Sequence, residues 1–498
     1  MKILLIDPPF YRFIKYFNRF FPLGLAYLAA VMRELGHEVS IYDADANVER
    51  AEEMDFSALE ESYPVYIKRL NDPLDPVWEE MRSTIRSVGP DLVGINAYTT
   101  RVASAFRTAR IVKALFPGVP VVIGGPHPSV KAEESLDICP SIDFALRGEG
   151  ERSFAGLVEC LEKKGDLRRI KGLSYRGEGG IIHNPAVEFI EDLDSVPYPA
   201  RDLLINKGSY TPEDMGLIMT GRGCPYECTF CSSSGVWNRR VRARSLGNVL
   251  GEIRRVKAQY GTVQFSFKDD TFTLDRNRVK HFCRAVLDEG LKINWDCNVR
   301  VNLVDYALLK LMKSAGCNGI KMGIESGSDR VLKEVMKKGT TIEQIKRAAQ
   351  IARKAGIHWT GYFMMGLPTE SRAEMIDTLK LLHDIRPDFA SISVYEPFPG
   401  TGLFRTGVAS GLVAEKRTLD DYCSISPKYY FMKDQNRRID SMTDEEFREM
   451  ERFIKESFRD YNRSFSRIFK RARSRSALYL TEPAALWGDF QKFIAWMR

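Results

Sequence analysis

The 498-residue chain lacks the long apolar segments that would cross a membrane. No segment approaches the ~20 uninterrupted apolar residues of a transmembrane helix. The apolar run after Met1 is too short, and too soon followed by charge, for a signal peptide. The nine cysteines show no spacing typical of a disulfide framework, which fits reduced thiols. We therefore expect a cytoplasmic protein, and its length suggests two or three domains.

Motifs for several common cofactors and partners are also missing. No G-x-G-x-x-G follows the first predicted strand at residues 2–7, which argues against a nicotinamide cofactor. Only six histidines are present, and none lies between His183 and His281, so zinc bound in that interval would have no nearby histidine. The net charge of +7 is modest for this length and does not indicate nucleic-acid binding.

Three cysteines stand close together in the segment 221–232. Cys224, Cys228 and Cys231 have C-x3-C-x2-C spacing, and short runs of thiolates hold iron–sulfur clusters. The next cysteine, Cys283, lies far along the chain, so three protein ligands on a four-iron cluster would leave one iron open. A zinc knuckle and three unrelated buried thiols are the alternatives. We predict a [4Fe–4S] cluster with an open iron.

This spacing, with the aromatic Phe230 before the last cysteine, resembles the signature of radical S-adenosylmethionine enzymes. In that family the open iron binds the amino and carboxylate groups of S-adenosylmethionine. The reduced cluster then cleaves this molecule to methionine and a 5′-deoxyadenosyl radical. The resemblance implies three cysteine ligands, a cofactor contact at Phe230, and an electron donor such as flavodoxin or ferredoxin. It does not indicate the substrate.

Residues 1–165 alternate apolar runs with helical patterns, which predicts an α/β, doubly wound, Rossmann-like sheet with ligands at the carboxyl ends of its strands. Stretches such as G-G-P-H and R-G-E-G-E make this region similar to the cobalamin-binding domain that precedes many radical S-adenosylmethionine domains. The resemblance implies cobalamin contacts in the strand-end loops. We assign these contacts to Pro8, Asn96, Thr99, Gly124, Gly125, His127 and Glu149.

The D-x-H-x-x-G motif of proteins that ligate cobalt through histidine is absent. Two interpretations follow, of which we favour the first: cobalamin bound without a histidine ligand, or a cleft that has lost its cofactor. His127 is equally suited to contacting the cofactor and to bonding its own loop.

Residues 166–210 are expected to form a polar linker with a small hairpin around Arg176–Gly180. In residues 211–430, six strand-like runs are each followed by a helical pattern, which predicts a partial (β/α)6 barrel like that of the family. Between them, four arginines in the segment 237–245 suggest either a solvated basic loop or an anion site. Residues 431–498 are expected to form a helical C-terminal region.

The resemblance also implies that S-adenosylmethionine binds at the strand ends of this barrel. An inward arginine can hold a carboxylate through two parallel bonds, and glutamate can accept from ribose hydroxyls. The assigned contacts are Asp269 and Asp270 for the amino group, Arg300 for the carboxylate, Glu325 and Ser326 for the ribose, and Gly366 beside the adenine. Tyr395 and Glu396 are expected to face the substrate. Asp269 and Asp270 are equally suited to capping the helix that follows.

The C-terminal region combines an amphipathic pattern at residues 443–461 with a basic, aromatic stretch at residues 463–475. We favour a helical cap that closes the barrel. The alternative is a cationic amphipathic helix on an anionic membrane, which would suit a lipid or other apolar substrate.

The resemblance as a whole implies a cobalamin-dependent radical S-adenosylmethionine enzyme. Its commonest reaction transfers a methyl group from methylcobalamin to an unactivated carbon of a small-molecule, lipid or tetrapyrrole-type substrate. One alternative is an oxidative cyclase, as in the anaerobic cyclisation of magnesium-protoporphyrin monomethyl ester. A second is a cobalamin- or cluster-binding sensor without catalysis. We expect a small-molecule or lipid substrate, no nucleic acid, and peripheral membrane contact only through the C-terminal region.

Overall fold

The computed structural model describes residues 1–14, 21–46, 61–433, 441–464 and Trp487. These residues fall into two compact units. The first unit comprises the described parts of 1–263 and 396–433, and the second those of 264–395 and 441–464. The division into domains at residues 166, 211 and 431 stays a prediction.

The first unit is built on a seven-stranded sheet. In spatial order β2-β1-β3-β4-β5-β6-β7, it contains β1 (Lys2–Asp7), β2 (Glu38–Asp43), β3 (Leu92–Asn96), β4 (Val121–Gly124), β5 (Phe144–Leu146), β6 (Leu173–Gly177) and β7 (Gly180–His183). The first five strands are parallel, and β6 and β7 join them antiparallel. Residues 3–6 of β1 are fully buried, as expected for a central parallel strand covered on both faces.

Helices connect the parallel strands of this sheet, and the carboxyl ends of the strands therefore lie at one edge. The helices are α1 (Leu23–Glu34), α2 (Tyr63–Asn71), α3 (Pro76–Val88), α4 (Val102–Leu115), α5 (Pro126–Ile138) and α6 (Gly150–Lys163). The hairpin expected in the linker forms as β6 and β7, and it extends the sheet. Nothing in its local pattern indicated that role.

Short elements follow in the first unit: β8 (Leu217–Ile218), β9 (Gly221–Arg222), α7 (Ser233–Trp237), β10 (Arg242–Ala243) and α8 (Leu246–Tyr260). The strands β9 and β10 pair antiparallel, with Arg222 opposite Arg242. They flank the segment that carries the three clustered cysteines.

The second unit contains five parallel strands in sequential order, with a helix between each neighbouring pair. They are β11 (Gln264–Phe267), α9 (Arg276–Asp288), β12 (Asn294–Val299), α10 (Tyr306–Ser314), β13 (Cys317–Glu325), α11 (Ile342–Ala355), β14 (His358–Met365), α12 (Arg372–Ile385) and β15 (Phe389–Val394). Burial alternates strictly along β14, so one face of the sheet is covered and the other carries partly exposed side chains. Each of the six predicted strand-like runs contains a strand.

The helices α13 (Gly402–Ala409) and α14 (Leu419–Ser424) belong to the first unit, and α15 (Asp444–Arg463) to the second. Phe458 of α15 packs edge-on against Phe363, with ring centroids 5.1 Å apart. The Asn462 side chain bonds both the N–H and the carbonyl of Ala390 in β15. This helix therefore covers part of β15. Of the basic stretch predicted at residues 463–475, only residues 463 and 464 are among the described residues.

Candidate active site

The three clustered cysteines lie in one loop of the first unit, immediately after β9. Gly223 introduces the loop with φ +94°, and a Cβ there would come within 1.9 Å of the Arg240 carbonyl oxygen. Only glycine fits this combination of conformation and close approach. Cys224, Cys228 and Cys231 form no disulfide bond and are partly exposed.

The donor set of this loop fits an iron–sulfur cluster by its chemistry, because thiolates are the soft ligands that such clusters use. Within the described part of the chain, no three His, Cys, Asp or Glu side chains are already grouped as a metal-binding set. Cys139 and Cys283, in contrast, are buried, and burial raises their thiol pKa values to about 11 and about 12. Such thiols are poorly suited as ligands.

A buried ion-pair network, which we call the glutamate clamp, holds the strands that flank the cysteine loop. Glu149 accepts from Arg222 Nη1 at 2.8 Å and from Arg242 Nη1 at 2.9 Å, and Glu151 accepts from Arg222 Nη2 at 2.5 Å. The Ile190 N–H donates to the other Glu149 oxygen. Both Glu149 oxygens are thus bonded within the protein and hold the cysteine segment, and the assignment of this residue to cobalamin stays a prediction.

Two of the four arginines of residues 237–245 are exposed, as in a solvated loop, and the other two are buried in ion pairs. Arg239 and Arg240 form surface ion pairs with Glu227 and Glu191. Arg242 belongs to the glutamate clamp, and Arg244 is buried against Glu252 at 2.6 Å. Glu191 and Glu149 lie far along the chain from Arg240 and Arg242, so the basic run alone did not show these two pairs.

The carboxyl ends of β1, β3 and β4 bring together most of the residues assigned to cobalamin. Asn96 donates to the Asp7 carboxylate at 2.9 Å, and Pro8 follows Asp7 directly. Gly125 has φ +106°, and a Cβ there would lie 2.7 Å from the Asn96 side-chain oxygen. This glycine lets the loop after β4 approach the loop after β3 closely, which forms a cradle of backbone at the strand ends.

His127 lies fully buried beside this cradle. Its Nδ1 is 3.2 Å from the Thr99 hydroxyl, and its ring meets Phe106 and Tyr422 edge-on. Burial, with a contribution from Lys131, lowers the His127 pKa to about 3, so the imidazole is neutral. Its Nε2 is buried without a hydrogen-bond partner in the described structure. The bonded Nδ1 fits a loop histidine, and the orphaned Nε2 fits a further contact, so both interpretations keep support.

Three buried carboxylates at the ends of β1 and β2 were missed as site residues. Asp7 and Asp45 share one arginine, Arg101, which lies 2.9 Å from Asp7 and 3.5 Å from Asp45, whereas Asp43 accepts from the Tyr210 hydroxyl. Burial is the main cause that raises the Asp45 pKa to about 6, and burial together with the neighbouring aspartates raises that of Asp43. Their positions after predicted strands were the available signal. Their burial was not visible in the sequence.

The residues assigned to S-adenosylmethionine lie at the strand ends of the second unit. Asp269 and Arg300 are buried and Asp270 is exposed. The helix α9 is capped by Asp275, which accepts from the N–H groups of residues 277 and 278. The capping alternative for Asp269 and Asp270 is therefore wrong, because the helix begins later than the pattern suggested.

The segment after β13 holds Glu325 in an unusual backbone conformation, with φ +69°. Lys338 bonds its carboxylate at 3.0 Å, and the Ser326 hydroxyl, fully buried, accepts from the Ser328 N–H. A left-handed conformation at a non-glycine residue needs support from its surroundings, and such residues cluster at functional sites. The geometry suits the predicted ribose contact.

After β14, the N–H groups of Gly366 and Leu367 donate to Glu370 at 2.7 and 3.1 Å. Burial raises the Glu370 pKa to about 8 in spite of these bonds. After β15, Tyr395 is buried, which raises its phenol pKa, and Glu396 is partly exposed. Sequence reasoning singled out Gly366 but missed Glu370, which shapes its turn.

Two family models match separate parts of the chain. Residues 13–158 match the model of the B12 binding domain, and residues 218–382 match that of the radical SAM superfamily. An uncharacterised methyltransferase of Pyrococcus horikoshii is 37% identical over 416 residues, covering 83% of this chain and 84% of its own. The anaerobic magnesium-protoporphyrin IX monomethyl ester cyclase of Rubrivivax gelatinosus is 32% identical, but the match covers 66% of this chain and 60% of the cyclase.

Among solved structures, the radical S-adenosylmethionine methyltransferase TsrM of Kitasatospora setae, with cobalamin and a [4Fe–4S] cluster bound, is similar with a TM-score of 0.63 and 18% identity. The match covers 83% of this chain and 76% of TsrM, and at this identity it bears on the fold alone. The predicted fold class is confirmed. The chain belongs to the cobalamin-dependent radical S-adenosylmethionine enzymes, and its cofactors are a [4Fe–4S] cluster, S-adenosylmethionine and cobalamin.

Proposed function

We propose that the protein methylates an unactivated carbon of a small-molecule substrate. The observation that carries this proposal is the glutamate clamp. Glu149 and Glu151, at the start of α6 in the B12-binding region, bond Arg222 and Arg242, which flank the cysteine loop. Direct bonding between these two regions supports a reaction that uses both cofactors together.

The residues proposed for each cofactor follow from the geometry described above. Cys224, Cys228 and Cys231 would ligate the cluster, with Phe230 beside it. The cradle of Asn96, Thr99, Gly124 and Gly125, with Pro8 and His127, would hold cobalamin. Asp269, Arg300, Glu325, Ser326 and Gly366 would bind S-adenosylmethionine. When bound, the cluster supplies the electron that cleaves S-adenosylmethionine, and cobalamin carries the methyl group.

The chain's own residues would orient these groups and exclude water. The buried Arg300 guanidinium is suited to a carboxylate, and the Glu325 carboxylate to hydroxyl donors. Tyr395 and Glu396, in the segment after β15, would face the substrate, with Tyr395 neutral because burial raises its pKa. The electron would come from a partner such as flavodoxin or ferredoxin.

Labelled S-adenosylmethionine tests the proposal. Reduced protein is expected to form 5′-deoxyadenosine, and substrate is expected to acquire the labelled methyl group. Cys228→Ala should abolish 5′-deoxyadenosine, because two thiolates do not hold the cluster. Cys423→Ala, outside the cysteine loop, is the matched control. Continued cleavage in Cys228→Ala would contradict the cluster assignment.

The similarity to the magnesium-protoporphyrin cyclase favours an oxidative cyclase as the second candidate. A cyclase would form 5′-deoxyadenosine and product without any labelled methyl group. A non-catalytic sensor would form no 5′-deoxyadenosine at all. The labelling experiment separates all three.

Membrane contact remains a proposal for the basic C-terminal stretch, nearly all of which lies outside the described residues. Within the described structure, no helix is long and apolar enough to cross a bilayer. The helix α15 buries Phe447, Met450, Ile454 and Phe458 within the second unit, so its apolar face is not available to lipid.

A further inference from the structure

A polar face of the five-stranded sheet remains after the predicted S-adenosylmethionine contacts are assigned. Burial alternates along β11, β12, β13 and β14, and the partly exposed positions form one face. Six polar residues share this face by alternation and strand register: Ser266, Lys268, Asp296, Lys321, Tyr362 and Ser391. We call them the polar patch.

One carboxylate organises the centre of the polar patch. The Asp296 Oδ1 atom accepts from the Ser266 hydroxyl at 2.8 Å and from Lys321 Nζ at 2.5 Å. The side chains of Asp296 and Lys321 keep 24% and 28% of their surface exposed. The lysine is therefore fixed in place and still accessible to a ligand.

A second lysine makes the patch positive. Lys268 lies two residues beyond Ser266, on the same side of the strand. Burial, together with Lys321, lowers the Lys268 pKa to about 8, and Asp296 opposes this shift only in part. Two ammonium groups thus act on each other across a single carboxylate. An anion bound between Lys268 and Lys321 would reduce the repulsion between their two ammonium groups.

Two hydroxyls extend the patch on the neighbouring strands. Tyr362 and Ser391 stand opposite each other in β14 and β15. Burial raises the Tyr362 pKa, so its hydroxyl remains a donor. Ser391 is buried, and its hydroxyl has no hydrogen-bond partner in the described structure. A buried hydroxyl without a partner is unusual and points to a missing acceptor.

On β12 and β13 the patch lies deeper in the sheet than the residues assigned to S-adenosylmethionine, whereas Lys268 comes directly before Asp269 at the end of β11. Lys321 precedes Glu325 by four residues in β13, and Asp296 precedes Arg300 by four. At about 3.3 Å per residue, this separates the two levels by roughly 13 Å along the strands. A group bound at Lys321 would therefore be separate from the contacts assigned to Arg300 and Glu325, and we take it to belong to a second ligand.

We propose that the polar patch binds an anionic group of the substrate, a carboxylate or a phosphate, through Lys268 and Lys321. This rests on the proposed function, because it takes the second ligand to be the substrate. Ser391 and Tyr362 would donate to the same group. Neutral, wholly apolar substrates are excluded by this assignment.

Calorimetric titration of the reconstituted full-length protein with inorganic phosphate, and separately with acetate, tests the proposal without turnover. The wild-type protein is expected to bind one of these probes saturably. Lys268→Met and Lys321→Met should each weaken this binding about tenfold or more, because a charge-assisted bond is lost. Lys310→Met, at an exposed position in α10, should leave it unchanged.

Asp296→Asn provides a test in which the expected result is tighter binding of the anion rather than weaker binding. It removes the negative charge of the patch, so the anion should bind several-fold more tightly. The proposal would be overturned if the wild-type protein showed no saturable binding. It would also be overturned if both lysine variants bound the probe with wild-type affinity. Because these titrations need no cleavage of S-adenosylmethionine, their failure is distinguishable from failure of the 5′-deoxyadenosine assay.

Discussion

The glutamate clamp predicts that the change Glu149→Gln strongly destabilises the first unit. Glu149 is buried, and its two oxygens accept from Arg222, Arg242 and the Ile190 N–H at 2.8–2.9 Å. Burial alone would raise the Glu149 pKa, but the hydrogen bonds from both arginines outweigh it and hold the pKa below its ordinary value. The residue is therefore charged, and the arginines depend on that charge.

Glutamine keeps the shape of Glu149 but leaves the Arg242 guanidinium without a carboxylate. Removing one partner of a buried ion pair costs about 3–5 kcal/mol, because the other charge stays buried. For a unit of this size, 1 kcal/mol lowers the melting temperature by about 2–4 °C, so the first unit should melt roughly 6–20 °C earlier. Iron retained after reconstitution should also fall, because the clamp holds the strands that flank the cysteines.

Thermal unfolding followed by circular dichroism measures the melting temperature of Glu149→Gln. Iron analysis after reconstitution measures its iron content. Glu159→Gln is the matched control in α6, since Glu159 forms an exposed pair with Lys163 at 2.7 Å. Exposed pairs contribute little to stability, so this control should melt with the wild-type protein. Equal melting temperatures for Glu149→Gln and Glu159→Gln would refute the reasoning.

Three further changes test other parts of the structure. Gly223→Ala should abolish iron binding in an iron assay, because its Cβ would lie 1.9 Å from the Arg240 carbonyl, whereas Gly118→Ala, with open space around it, should not. Burial raises the Glu370 pKa from 4.5 to about 8, so the folded protein holds that proton more tightly than the unfolded chain, and the contribution of Glu370 to stability falls as the pH rises through this window. The melting temperature of Glu370→Gln should therefore match that of the wild-type protein near pH 4.5 and exceed it near pH 8. A difference in melting temperature that stays constant over this pH range would count against this prediction. Asn462→Ala should destabilise the second unit by about 1–3 kcal/mol in denaturant titration, because the N–H and carbonyl of Ala390 lose their partner; an unchanged midpoint would show that water replaces the side chain.

Elements with strong local patterns were predicted well from the sequence. Alternating burial along β14 and the helical pattern of α15 depend on residues close together in the chain, so their positions agree with the structure. The residue at which a helix begins was predicted less accurately. Asp269 and Asp270 were equally good caps by residue type, and only the backbone showed that Asp275 caps α9.

The candidate site was predicted as a set of segments, but the partners within it were not. The segment containing Glu149 was assigned to a cofactor loop through its resemblance to the cobalamin-binding domain. The hydrogen-bond partners of Glu149, Arg222 and Arg242, lie 73 and 93 residues away and were not predicted. The buried carboxylates Asp7 and Asp43 likewise gained their altered environment only when two strands became neighbours.

The sequence by itself determined the cofactor chemistry and the fold class. The spacing of Cys224, Cys228 and Cys231 indicates an iron–sulfur cluster, because one short loop can present all three thiols to one cluster. The tertiary structure decided which charges meet: Glu149 with the arginines beside that loop, and Lys268 with Lys321 on the polar patch. Coulombic interactions depend on distance in space and on burial, and a single sequence displays neither.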